Sequence, residues 1–112
     1  MAFDFADIVV VPFPFLELPV AKRRPALVLS ATTFNDANDH SVLAMITTAA
    51  RSAWPSDLPI ADLAAAGLQR TSVVRWKLFT LPNGLIERRL GRLGEADRSA
   101  AERGLRTIFA GG

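Results

Sequence analysis

The apolar residues of this chain come in short runs, each stopped by residues that cannot continue a sheet ladder or a helix. Ile8 to Phe13 is rich in β-branched side chains and runs into Pro12 and Pro14, which lack the N–H a ladder needs, so a strand there must end or become an edge. Pro25 to Ser30 (PALVLS) and Val42 to Thr48 (VLAMITT) are bounded by polar, turn-forming stretches, the intervening one carrying Asn35, Asp36, Asn38 and Asp39. Ser72 to Trp76 and Lys77 to Leu81 read as two further strands. They are closed by Pro82-Asn83-Gly84, where Asn-Gly supplies positive φ for a tight turn, and Leu90 to Leu93 reads as a last short strand. Phe15 to Arg24 has no periodicity and reads as a loop, Arg51 to Pro59 holds two prolines and Trp54, and Ile60 to Leu68 reads as one or two helical turns stopped by Gly67. Only from Glu95 to Phe109 does the spacing turn helical. There Ala96, Ala100, Ala101, Leu105, Ile108 and Phe109 lie on one face, with Arg98, Glu102 and Arg106 four apart on the other.

Five to seven short strands with one terminal helix, in 112 residues, predict a mainly β chain with some α: a small, strongly bent antiparallel sheet or partly open barrel, in one domain over 1–112. Half the residues are apolar, enough for one modest core. With no cysteine and one histidine, a disulfide framework and a thiolate or histidine zinc site are excluded, and no metal or other cofactor is expected. The N-terminal stretch carries two aspartates and no base, unlike a secretory signal, and no apolar run approaches the roughly 18 residues of a membrane span. A cytoplasmic protein without membrane contact is expected.

Net charge is only +2, but 11 of the 13 basic residues are arginine, the side chain that grips phosphate with a planar fork. Residues 1–69 carry a net −3 and residues 70–112 a net +5, an asymmetry that permits a polyanionic partner.

Three pieces carry a resemblance. Ala6-Asp7-Ile8-Val9-Val10-Val11-Pro12-Phe13-Pro14-Phe15, then Lys22-Arg23-Arg24-Pro25-Ala26-Leu27-Val28-Leu29-Ser30, then Met45-Ile46-Thr47-Thr48 together resemble the PemK/MazF family of type II toxin–antitoxin toxins. Ser72-Val73-Val74-Arg75 and Arg89-Leu90-Gly91-Arg92-Leu93 are similar to its later strands, and the likeness is weakest over residues 49–70. The resemblance implies an SH3-like barrel that forms a homodimer, cuts single-stranded RNA without a metal to leave 2′,3′-cyclic phosphate and 5′-hydroxyl ends, and is held inactive by an antitoxin. That antitoxin is expected to be a disordered acidic-hydrophobic segment that orders on binding. The resemblance also implies that Arg24 and Thr47 are catalytic. The chain departs from the family at Ala6, usually glycine, and at residues 16–21, where many members have a glycine-rich loop over the RNA. Two other readings share the fold: a toxin that poisons DNA gyrase by contact through its C-terminal end, Arg106 to Gly112, and an inert RNA- or antitoxin-binding module.

Metal-free cleavage needs the 2′-hydroxyl deprotonated, charge on a pentacoordinate phosphorus stabilised and the 5′-oxygen released. Arg24 suits the second task, its fork reaching non-bridging oxygens from a backbone that Pro25 fixes, unless it pairs at the surface with Asp7 or Glu17. Lys22 and Arg23 stand beside it as cations. Thr47 offers a hydroxyl to the phosphate, and period-two alternation puts Thr48 on the other face, so that only one of the two faces the site. Lys22, Arg23, Thr48, Glu17, Arg75 and Trp76 are candidate RNA contacts, Arg75 to phosphate and Trp76, like Trp54, by stacking on a base. Core or dimer packing is the competing role for both tryptophans and for Phe13 and Phe15. Arg88, Arg89 and Arg92 form either a phosphate-facing stripe or a solvated face. His40, the one side chain that ordinarily titrates near neutrality, lies in a polar stretch that reads as a loop, away from the chemistry.

Overall fold

Val9, Val10 and Val11 make a stiff β-branched segment, and in the computed structural model, which describes residues 3–13 and 22–111, they sit in β1 (Asp7–Phe13) with all three side chains buried. The chain continues through β2 (Lys22–Val28), α1 (Thr32–Asn38), β3 (His40–Thr48), a 3₁₀ turn (Ala49–Arg51) and β4 (Leu58–Pro59). It ends with α2 (Leu63–Ala66), β5 (Ser72–Pro82), a second 3₁₀ turn (Asn83–Leu85), β6 (Arg88–Arg92) and α3 (Glu95–Ile108). The strands form one antiparallel sheet in the order β4-β5-β3-β2-β1-β6.

Alternation along the strands sends apolar side chains to both faces, and the sheet curls to bury both. Ile8, Leu27, Ala44, Ile46, Val74 and Trp76 share one cluster with Ala101 of α3, while Val9, Val11, Ala26, Val28, Leu43 and Leu81 form the other. This is the bent, partly open barrel with a C-terminal helix expected from the sequence. No helix among the described residues is long and apolar enough to cross a membrane.

Several local expectations are corrected. Lys22, Arg23 and Arg24 are not loop but open β2, opposite Phe13, Pro12 and Val11, because the ladder continues across the proline-bearing end of β1. The Asn/Asp-rich stretch is not a turn but α1, and His40, expected in a loop, is the exposed first residue of β3. The α1 stretch folds because polar groups have partners: Asn35, fully buried, donates from Nδ2 to the Phe3 carbonyl at 2.9 Å, and Ser30 donates to its Oδ1. Ser72 to Leu81 is one strand rather than two, with a register shift opposite Ala44/Met45. Asn83-Gly84 makes a 3₁₀ turn without positive φ.

The buried face of α3 is also rotated from expectation. Ala96, Ile108 and Phe109 are exposed, and the buried positions are Ala101 and Asp97, whose carboxylate accepts the backbone N–H of Ala61 at 3.0 Å and of Asp62 at 2.8 Å. Gly104 meets the indole of Trp76, where a Cβ would stand 2.8 Å from the ring. Trp76 is therefore a core residue, and its ring is covered by α3 rather than open to a base.

Candidate functional site

The β2–β3 ladder pairs Val28 with Leu43, Leu27 with Ala44 and Ala26 with Met45, and Arg24 and Thr47 lie two residues beyond its last pair on their own strands. Arg24 is opposite Val11 of β1 and Thr47 opposite Val73 of β5, and alternation along β2 and β3 puts the two candidate catalytic residues on the face that carries Ala26 and Met45. Both line a cavity of about 340 Å³.

The far wall of that cavity comes from residues 49–71. Ala49 donates its N–H to the Thr71 carbonyl at 2.9 Å, closing this excursion at its base, and Ser72 donates to the Arg70 carbonyl at 2.7 Å. Two cations far apart in sequence, Arg51 and Arg70, are thereby brought to the cavity that holds Arg24. α2 supports the wall: Asp62 caps it by accepting the Ala65 N–H at 3.0 Å, and Gly67 ends it at φ 73°. β6 packs so closely on α2 that a Cβ on Gly91 would lie 2.4 Å from the Ala65 carbonyl oxygen.

A second cavity, of about 230 Å³, adjoins the first and shares Arg24, Thr47 and Arg51 with it, adding Phe13, Met45 and Arg75. The β3–β5 register shift leaves Trp76 and Lys77 without opposite residues and sets Arg75 opposite Met45. The Arg75 guanidinium lies 5.0 Å from the centre of the Trp54 ring, so the aromatic partner of Arg75 is Trp54 and not its neighbour Trp76.

Neither lining contains a carboxylate or an imidazole among the described residues. The competing pairing of Arg24 with Asp7 does not occur: Asp7 sits 3.6 Å from Arg89 and 3.4 Å from Arg92, which accounts for two of the three arginines of that stripe. Arg23 points to the opposite face from Arg24, as strand alternation requires, and pairs with Glu87 at 2.6 Å. Lys22 shares the face of Arg24 and is exposed. Thr48 lines the larger cavity beside Thr47, against the expectation that only one threonine reaches it, because β3 ends there and the chain turns into its 3₁₀ segment. His40 is seven residues along β3 from Thr47, roughly 23 Å away in an extended strand. Glu17 and the 16–21 loop, with Phe15, lie outside the described residues.

Arg51 and Arg70 are cavity-lining cations that no sequence motif singled out. One signal was present: they are the only cations in residues 49–70 and flank an apolar, proline-broken stretch.

The fold has close counterparts among solved structures. MazE–MazF from Deinococcus radiodurans superposes with a TM-score of 0.75 at 18% identity, covering 96% of each chain. The Mycobacterium tuberculosis toxin MazF-mt6 gives 0.71 at 23% identity, over 92% of this chain and 95% of that one. A mycobacterial endoribonuclease in complex with its cognate antitoxin gives 0.72 at 16% identity, over 95% and 91%. Among curated proteins none matches the sequence significantly. The family model of PemK-like, MazF-like toxins of type II toxin–antitoxin systems matches residues 4–109, nearly the whole chain, including every strand and the arginine-lined cavities described above. The chain belongs to that family of toxins.

Proposed function

We propose that the toxin is an endoribonuclease that cuts single-stranded RNA without a metal ion, leaving a 2′,3′-cyclic phosphate and a 5′-hydroxyl. The observation that carries this reading is that Arg24 and Thr47 line one cavity with Arg51 and Arg70, with no carboxylate beside them among the described residues. In the reaction the 2′-oxygen loses its proton and bonds to phosphorus, the P–O5′ bond breaks, and the 5′-oxygen takes up a proton. The Arg24 fork offers two N–H donors to the non-bridging oxygens as their charge grows, and the Thr47 hydroxyl donates to the same phosphate. Arg51 and Arg70 hold the flanking phosphates, and unpaired RNA is selected because only an unstacked strand presents a phosphate and its 2′-hydroxyl in so narrow a site.

In this reading the toxin acts as a homodimer and is silenced by an antitoxin segment laid across this cationic face; that solved relatives are complexes with an antitoxin supports the antitoxin partner. Purified protein in EDTA is expected to cut a long RNA, with ends that a polynucleotide kinase labels directly at the 5′ side. Arg24→Ala and Thr47→Ala are each expected to stop cutting and growth inhibition while keeping the wild-type circular dichroism spectrum and antitoxin binding. Intact RNA at stoichiometric toxin, or a strict need for Mg²⁺, would overturn the proposal.

A further inference from the structure

The smaller cavity has walls that phosphate chemistry alone does not call for. Phe13 and Met45 are apolar, and Arg75 lines the cavity with them, alongside Arg24, Thr47 and Arg51. The Arg75 guanidinium lies over the Trp54 ring, 5.0 Å from its centre. Trp54 is itself fixed in a turn, its N–H donating to Asp57 Oδ2 at 3.1 Å and its carbonyl accepting the Asp57 N–H at 3.0 Å. Meanwhile the Arg75 Nε–H is buried and donates to nothing among the described residues.

A phosphate is met by cations and hydroxyls and gains nothing from Phe13 or Met45. A planar ligand with adjacent acceptors on one edge uses both the apolar walls and the fork. At about 230 Å³ the cavity is smaller than the roughly 300–1,000 Å³ of ordinary small-molecule sites, which suits one unstacked base. Guanine presents O6 and N7 side by side, the pattern a guanidinium meets with two parallel hydrogen bonds. We propose that the smaller cavity is a nucleobase subsite beside the cut phosphate, in which Arg75, lying over the Trp54 ring, selects guanine. This inference rests on the ribonuclease reading above.

The test begins with the cut ends of the wild-type toxin mapped on a long RNA of mixed sequence. A guanosine at one fixed position adjoining the cut is expected. Short RNAs carrying guanosine, inosine or 7-deazaguanosine at that position then separate the acceptors. Inosine keeps O6 and N7 and is expected to be cut as guanosine is, whereas 7-deazaguanosine, lacking N7, lowers kcat/KM about 5- to 150-fold. Arg75→Gln is expected to cut the guanosine and 7-deazaguanosine substrates at equal rates; if that variant does not fold, the wild-type series decides alone. Cutting without a fixed guanosine, equal cutting of the 7-deaza substrate by wild type, or discrimination retained by folded Arg75→Gln would overturn the subsite and leave the ribonuclease reading standing. A wild-type protein that cuts no RNA would overturn both.

Discussion

Arg24 and Arg51 border the same cavity, yet their surroundings assign them different work. Arg24 is half-buried on a strand, its backbone held by Pro25 and by pairing with Val11, and it lines the cavity together with Thr47, which suits a positioning role for its fork. Arg51 is exposed at the end of a 3₁₀ turn and supplies charge more than geometry. Arg24→Lys, which keeps the charge and loses the two-pronged fork, is expected to lower kcat about 10²- to 10³-fold with little change in KM. Arg51→Ala is expected to act on binding: KM rises, and the slope of log K against log salt falls in magnitude by about 0.7, the share of one phosphate contact on a single strand. Stopped single-turnover assays and salt titrations of RNA binding separate the two. The different legibility of these residues follows from the same facts. Arg24 and Thr47 sit inside strand motifs, KRRPALVLS and MITT, whose order is readable locally. Arg51 and Arg70 meet only because the Ala49–Thr71 hydrogen bond closes a long excursion, a contact that no local pattern announces. Trp76 misled in the opposite direction, since its neighbour Arg75 suggested a joint role, while strand alternation sends the two side chains to opposite faces.

The elements were readable where apolar periodicity alone decides them and not where polar partners do. β1 and α3 have strong patterns, but α1 exists through Asn35, Ser30 and the Phe3 carbonyl, and through Asp4, whose Oδ1 accepts the Thr32 N–H at 3.1 Å at the start of the helix. Hydrogen bonds from the backbone N–H groups of Phe5 and then Thr32 hold the Asp4 carboxyl below its ordinary value. A carboxyl whose folded value is depressed stabilises the native state above its unfolded value and loses that contribution as pH falls through the folded one. The midpoint of thermal unfolding is therefore expected to fall more steeply on acidification below about pH 3.8 in the wild type than in Asp4→Asn, whose side chain does not titrate. The contact between β6 and α2 makes a steric counterpart. Gly91→Ala places a Cβ against the Ala65 carbonyl oxygen, where backbone and not a flexible side chain must move. A loss of about 1–3 kcal/mol is expected in denaturant unfolding, together with weaker RNA binding, because α2 carries the Gly67–Arg70 wall of the larger cavity.

Across the whole molecule the two ends of function proposed for this fold are physically separate, which makes the choice between them an experiment. The arginine-lined cavities are built by β2, β3, β5 and the excursion between Ala49 and Thr71, with Phe13 of β1 and Leu90 of β6 at their walls. The last turns of α3 border a shallow depression instead, formed by Phe5, Leu29, Glu102, Leu105 and Arg106, which shares no residue with either cavity. Ile108 and Phe109 are exposed beyond it, so a toxin that poisoned gyrase through this end would have an accessible surface for the purpose. Neither Arg106 nor Phe109 contributes to the buried clusters, so the double variant Arg106→Ala, Phe109→Ser is expected to fold as wild type. If the cavities carry the toxicity, this variant arrests growth on induction as strongly as wild type and cuts RNA at the same rate, while Arg24→Ala does neither. Gyrase supercoiling stays unaffected by the wild-type toxin in either comparison. Survival of cells expressing the double variant, with RNA cutting intact in the purified protein, would move the toxic surface from the cavities to α3.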